Sequence, residues 1–213
     1  MLQIGIKSHK EKSGGFIENP AAELKRAKTK QKNLQLPESD QFKALVGNLR
    51  KNSGGWGPRI ADLVQFLAYS GLRIRSEALW VTWEDTDWHR KQLIVRGDPG
   101  TGTKNSDIRR VPIIPDIETL LNGLNPDRTA AGPILEVSRC NEALARVCKE
   151  LGIPRLTHHD MRHLFATRRI ESEVDIPTVS RWLGHKDGEA LAMHTYGHLR
   201  SEHSQQMAQK VKF

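Results

Sequence analysis

The chain has 213 residues, 37% of them hydrophobic and 27% charged, which is enough apolar material for one ordinary core and excludes disorder throughout. Its formal net charge of +8 and pI near 9.7 favour a polyanionic partner, because Lys and Arg release counterions as they neutralise phosphates. Two cysteines without a CxxC spacing, no apolar run of about 18 residues and no apolar stretch near the start argue against a disulfide scaffold, a membrane-spanning helix and a signal peptide.

Residues 1–36 are polar and basic, and the run from Glu23 to Lys32 reads as a solvated linker or as an arm lying on DNA phosphate. A helix start is expected at Leu36-Pro37-Glu38-Ser39-Asp40, with Phe42, Leu45, Val46 and Leu49 at helical spacing. After the loop Asn52 to Pro58, Ile60, Leu63, Val64 and Leu67 repeat that spacing, and Gly71 suits the helix end. Gln92 to Arg96 and Ile108 to Ile114 read as a strand pair around a long turn, with Pro112 placing the second strand at an edge. Arg109 and Arg110 are expected on the DNA side of that hairpin, or on a solvated edge.

Helices are predicted over 116–124, 141–151 (with Gly152 as cap), 160–171, 176–183, 189–195 and 201–211. Cys140 and Cys148 fall beside Leu144, Val147 and Leu151 and read as small apolar residues in a reducing cytoplasm. The fold class is therefore α+β, mainly α, with a small antiparallel sheet at one edge.

The last third is dense in His and Arg: His158, His159, Arg162, His163, Arg168, Arg169, His185, His194 and His198 cluster around Tyr196. A zinc hydrolase would show HExxH, whereas here an Arg stands beside the histidines and would repel a cation. The same pairing suits a phosphodiester, since the guanidinium fork matches phosphate oxygens. His159 and Arg162 share a face at i and i+3, near a helix N-terminus whose orphan N–H groups favour an anion.

These residues resemble the boxes of the tyrosine recombinases of the phage-integrase family. Thr157 to Thr167 (THHDMRHLFAT) is similar to the family's His-x-x-Arg box, and Trp182-Leu183-Gly184-His185 to its Leu-Gly-His. Met193 to His198 resembles the segment with the nucleophilic tyrosine, Tyr69 to Arg73 with Glu77-Ala78-Leu79 the first Arg box, and Thr103-Lys104-Asn105 the hairpin lysine loop. All five follow in the expected order across residues 69–198. Arg73-Ile74-Arg75-Ser76-Glu77 carries one residue more than the usual Arg-x-x-acid box, which leaves Arg75 as an alternative to Arg73.

The resemblance implies a helical catalytic domain over 37–213, preceded in 1–36 by a basic linker and the remnant of an N-terminal DNA-clamping domain. It implies a site-specific recombinase or integrase that breaks and rejoins DNA through a phosphotyrosyl bond at Tyr196. Arg73 and Arg162 would stabilise charge on the phosphate, Lys104 would protonate the leaving oxygen, His159 would shuttle a proton, and His185 would donate a hydrogen bond to the phosphate. No metal or cofactor is implied. The implied partners are double-stranded DNA and further copies of the chain, as a tetramer on DNA; the implied setting is a prokaryotic or phage-bearing cytoplasm, at the nucleoid. A type IB topoisomerase, a metal hydrolase and a truncated, inactive DNA-binding remnant are the competing readings. Tyr69, the other tyrosine, reads as helix packing.

Overall fold

The computed structural model describes residues 34–51, 55–102 and 108–185. The chain divides into units 1–34 and 35–213, and every helix and strand described belongs to the second. Helix α1 spans Ser39–Lys51 and buries Phe42, Leu45, Val46 and Leu49, the four positions set out by the helical repeat. Helix α2, Gly57–Ser70, buries far more than one stripe: Ala61, Asp62, Leu63, Val64, Phe66, Leu67, Ala68 and Ser70 are all covered. The reason is its place, packed against α1, against α3 (Pro115–Leu124) and against α5 (His158–Glu171).

The sheet has three antiparallel strands in sequence order, β1 (Thr86–Asp87), β2 (Gln92–Val95) and β3 (Arg109–Pro112). The expected pair is therefore extended by a two-residue strand, too short to show as an alternating pattern. Leu93 faces Val111, both fully buried, and Pro112 ends the edge strand opposite Gln92, where its missing N–H costs no ladder bond. The main core runs from Phe42 to Leu164, and α4 (Asn141–Glu150) adds Ala143, Leu144, Val147 and Cys148 to it. Cys140 precedes α4 rather than lying within it; both thiols are buried, and burial pushes Cys140 up to about 12, so it acts as a small apolar group. The cap of α4 is Leu151, and Gly152 follows with φ 64°.

A second, smaller cluster joins α5 to α6 (Ile176–Leu183) through Phe165, Ala166, Ile170, Ile176, Val179 and Leu183. Gly71 locks the two parts together. It ends α2 in the left-handed conformation (φ 67°), and a Cβ there would lie 2.5 Å from Phe165 Cδ1. Gly71→Ala is expected to cost roughly 2–4 kcal/mol, combining backbone strain with overpacking. Chemical denaturation tests this, and a loss below about 1 kcal/mol would show that Phe165 yields freely. The helices predicted over 189–195 and 201–211 lie outside the described residues. No helix among the described residues is long and apolar enough to cross a membrane.

Candidate active site

Arg162 organises the site. Its Cα lies on α5, and its buried guanidinium donates from Nη1 to the Gly71 carbonyl and from Nη2 to the Leu183 carbonyl, each at 2.6 Å. Gly71 stands two residues before Arg73 and Leu183 two before His185, so one side chain draws together the first Arg box, the His-x-x-Arg box and the Leu-Gly-His segment. These bonds are charge-assisted and short.

The α5 N-terminus is not an open anion site. Thr157 accepts from the His159 N–H, and Asp160 accepts from both the Thr157 N–H (2.8 Å) and its hydroxyl (2.7 Å). This capping box already places a carboxylate at the positive end of the helix, which corrects the expectation that orphan N–H groups there await a phosphate. The positive charge comes from side chains instead. His159 is exposed, whereas Arg162, one turn on, is buried. The His158, His159 and His163 rings meet edge to face at 5.7 and 6.2 Å. Burial first, then the charges of His159 and Arg75, holds His158 below its usual range, against the opposing pull of Asp160.

The two candidate arginines of the first box part company. Arg75 is exposed, its carbonyl accepting from the Trp80 indole at 2.8 Å. Arg73 is tied inward: its Nη1 donates to Glu77 Oε1 at 2.7 Å and its backbone N–H to Glu77 Oε2 at 2.8 Å. Glu77 has no exposed side-chain surface. It also receives Arg109 through both arms, Nη1 to Oε1 at 3.0 Å and Nη2 to Oε2 at 2.7 Å, while Arg109 Nε reaches the Trp182 carbonyl at 2.8 Å. Arg109 therefore does not line the DNA side of the hairpin; its charge is consumed inside, and Arg110 alone of the two is exposed.

The sequence places Glu77 in the first Arg box but shows neither its role as a buried bridge nor Arg109 as its second partner. Gly184 carries the one local signal of that arrangement: it caps α6 at φ 66°, and a Cβ on it would meet Arg109 Nη1 at 2.9 Å. His185 follows, its N–H bonded to the Ser180 carbonyl at 3.2 Å.

Burial pushes the Glu77 carboxyl up, but the hydrogen bonds and charges of Arg109 and Arg73 outweigh it, and the net shift is downward. A depressed folded value means that the stabilisation is present above the unfolded pKa and is lost as pH falls through the folded one. Glu77→Gln is expected to cost roughly 3–5 kcal/mol at neutral pH, because it strands two cations, and to flatten the loss of stability below about pH 4. Urea denaturation as a function of pH checks both; an acid limb identical to wild type would show that Glu77 does not carry it.

Lys104 and Tyr196, the expected proton donor and nucleophile, lie outside the described residues. Tyr69 is a packing residue: its hydroxyl accepts from Gln65 at 3.3 Å, its ring meets Phe42 edge-on, and burial raises its pKa.

The model of the phage integrase family matches residues 38–203. The chain belongs to that family. Among phage-integrase relatives, it is 27% identical over 205 residues to "Tyrosine recombinase XerC" of Alcanivorax borkumensis, covering 89% of this chain and 64% of that protein. It is 31% identical over 176 residues to "Tyrosine recombinase XerA" of Pyrococcus furiosus, covering 75% and 57%. The chain thus spans less than two thirds of either relative's length. The fold matches that of the Tn1549 transposon integrase in complex with transposon right end DNA (TM-score 0.61, 16% identity, 78% of this chain and 62% of that one). It also matches the XerA recombinase structure (TM-score 0.57, 19% identity, 79% and 63%). The mainly helical architecture with a small antiparallel sheet is the fold shared with these two structures over the matched regions.

Proposed function

We propose that the chain is a site-specific DNA strand transferase, with residues 37–213 as its catalytic unit and Tyr196 as its nucleophile. The observation that carries this reading is the Arg162 clamp, which gathers the segments bearing Arg73, His159 and His185 around one buried cation. Attack by the Tyr196 oxygen on a scissile phosphorus would form the phosphotyrosyl bond and break the bond to the leaving deoxyribose oxygen. Arg73 and Arg162 stabilise the charge growing on the non-bridging oxygens, with His185 donating to the same group. His159, exposed at the start of α5, relays the tyrosyl proton, and Lys104 returns one to the leaving oxygen. The new ester retains the energy of the old, so reversal by another strand's hydroxyl needs no nucleotide.

Arg73, rather than Arg75, fills the first-box role, because its backbone and guanidinium are both fixed on Glu77. Arg75, exposed near His158, contacts backbone phosphate beside the reacting one. Double-stranded DNA is the substrate, a tetramer of the chain on DNA is the working assembly, and a cytoplasmic, nucleoid-bound location follows from that substrate. The names of these relatives, both tyrosine recombinases, support recombination over topoisomerase action.

The test is incubation with supercoiled plasmid and with DNA from the gene's own flanks, in EDTA, followed by denaturation in SDS and mass spectrometry. A nucleotide-bearing peptide containing Tyr196 is expected; DNA binding with no adduct under any of these conditions would sink the reading. Binding itself is expected to fall steeply with salt, by roughly 10³-fold between about 50 and 200 mM if about six phosphates are neutralised. Fluorescence anisotropy over a salt series checks this, a flat profile being the contrary result.

A further inference from the structure

Resting on the strand-transfer reading above, we propose that Arg109 is a positioning residue that fixes the Arg73 guanidinium through the carboxylate they share on Glu77. The network joins three stretches far apart in sequence. Glu77 binds Arg73 at 2.7 Å and both arms of Arg109 at 2.7 and 3.0 Å. Arg109 Nε then reaches the Trp182 carbonyl at 2.8 Å, one residue before the Leu183 carbonyl that Arg162 holds. The hairpin is fastened to the Arg73–Glu77 segment a second time, by the Asp98 N–H on the Ser76 carbonyl at 3.2 Å.

Charge balance makes Arg109 necessary. Glu77 is wholly covered, and one carboxylate faces two guanidinium groups. Were Arg109 absent, Glu77 would face Arg73 as its one cation, the pair would be neutral overall, and nothing would fix the plane of the carboxylate. Arg73 would then have less positive charge to lend a phosphate. With Arg109 present, the trio carries a net positive charge, and the Nε, Nη1 and Nη2 of Arg109 are all turned inward to the Trp182 carbonyl and the Glu77 carboxylate. Arg73, at 20% exposed, is the outlet. The fork also sets direction: two parallel N–H bonds from Arg109 fix the carboxylate plane, and the carboxylate plane fixes where Arg73 lies. Gly184 leaves the space that this arrangement occupies.

The experiment uses the whole chain as Arg109→Gln and Arg109→Lys. The first readout needs no DNA: the guanidinium N–H signals of Arg73, assigned by NMR against Arg73→Lys. These are expected to be sharp and slowly exchanging in wild type and broadened in Arg109→Gln. Arg109→Lys is expected to recover thermal stability but not the Arg73 signal, since a point charge lacks the fork. The second readout is covalent adduct formation on DNA that wild type cleaves, with the scissile phosphate either native or replaced by a neutral methylphosphonate. On native DNA both variants are expected to lose about 10²-fold, the scale of a misplaced reacting group. On the neutral substrate, which lacks the charge Arg73 answers, the loss is expected to shrink to a few-fold, as for Arg73→Ala.

A folded Arg109→Lys with a wild-type Arg73 signal, or a loss equal on both substrates, overturns the proposal. Wild type that forms no adduct at all counts against the strand-transfer reading instead, and the NMR readout still decides the positioning.

Discussion

Tyr196→Phe is expected to abolish the covalent DNA adduct, lowering its rate of formation by at least ~10⁴-fold, while leaving DNA affinity within about twofold. The substitution removes one oxygen and keeps the ring, so packing and charge are conserved. A phenol with a pKa of about 10 is a weak nucleophile at neutral pH, and its reactivity depends on a positioned base and on neutralised phosphate charge. Nothing else on the ring can replace the lost oxygen. The chain contains two tyrosines, so Tyr69→Phe is a complete control. Tyr69 accepts a bond from Gln65 on α2, and losing it is expected to cost about 0.5–1.5 kcal/mol of stability with cleavage intact. Gel analysis after SDS, with peptide mapping, separates the two. An adduct that survives in Tyr196→Phe and vanishes in Tyr69→Phe would remove Tyr196 from the mechanism.

How much of this is legible in the sequence depends on how local the deciding interaction is. Helices α1, α5 and α6 show in their own periodicity and caps, because a helix answers to residues three and four apart. Helix α2 is visible as a helix but not as the centre of the domain; its burial on nearly all sides is set by three other helices. The Thr157–Asp160 capping box is written locally too, as a Thr followed three residues on by an acid, and it closes a helix start that the His-x-x-Arg pattern by itself leaves open to phosphate. Arg109 misleads for a different reason. An Arg on an edge strand ordinarily faces solvent, and its true partner, Glu77, lies 32 residues away in sequence. No pattern within β3 reveals it. The site residues fare likewise: Arg162's partners are 91 and 21 residues distant, so its place at the junction shows only in the folded chain, while its chemistry comes from a motif. Lys104 and Tyr196 rest on motif order alone.

Arg162 is where fold and chemistry are hardest to separate, and its variants carry the second large prediction. Arg162→Met fills much of the same volume but withdraws both donors from the Gly71 and Leu183 carbonyls, in residues that are themselves buried. Stranded carbonyls cost on the order of 1–3 kcal/mol each, so a loss of roughly 2–5 kcal/mol is expected in chemical denaturation. Cleavage is expected to fall by about 10²–10³-fold even at a temperature where the variant is fully folded, because one charged donor has gone from the developing phosphate charge. Arg162→Lys separates the two effects. Its ammonium retains the charge but lacks the planar fork whose separate Nη1 and Nη2 arms reach carbonyls on different helix ends. Part of the stability is therefore expected to return, while cleavage stays down by at least about tenfold, since the Arg73 and His185 segments are no longer held by one rigid fork. Denaturation curves and single-turnover adduct rates, measured side by side, check the split. If Arg162→Lys cleaves as wild type does, the site needs only positive charge at this position, and the two-carbonyl clamp is a matter of folding alone.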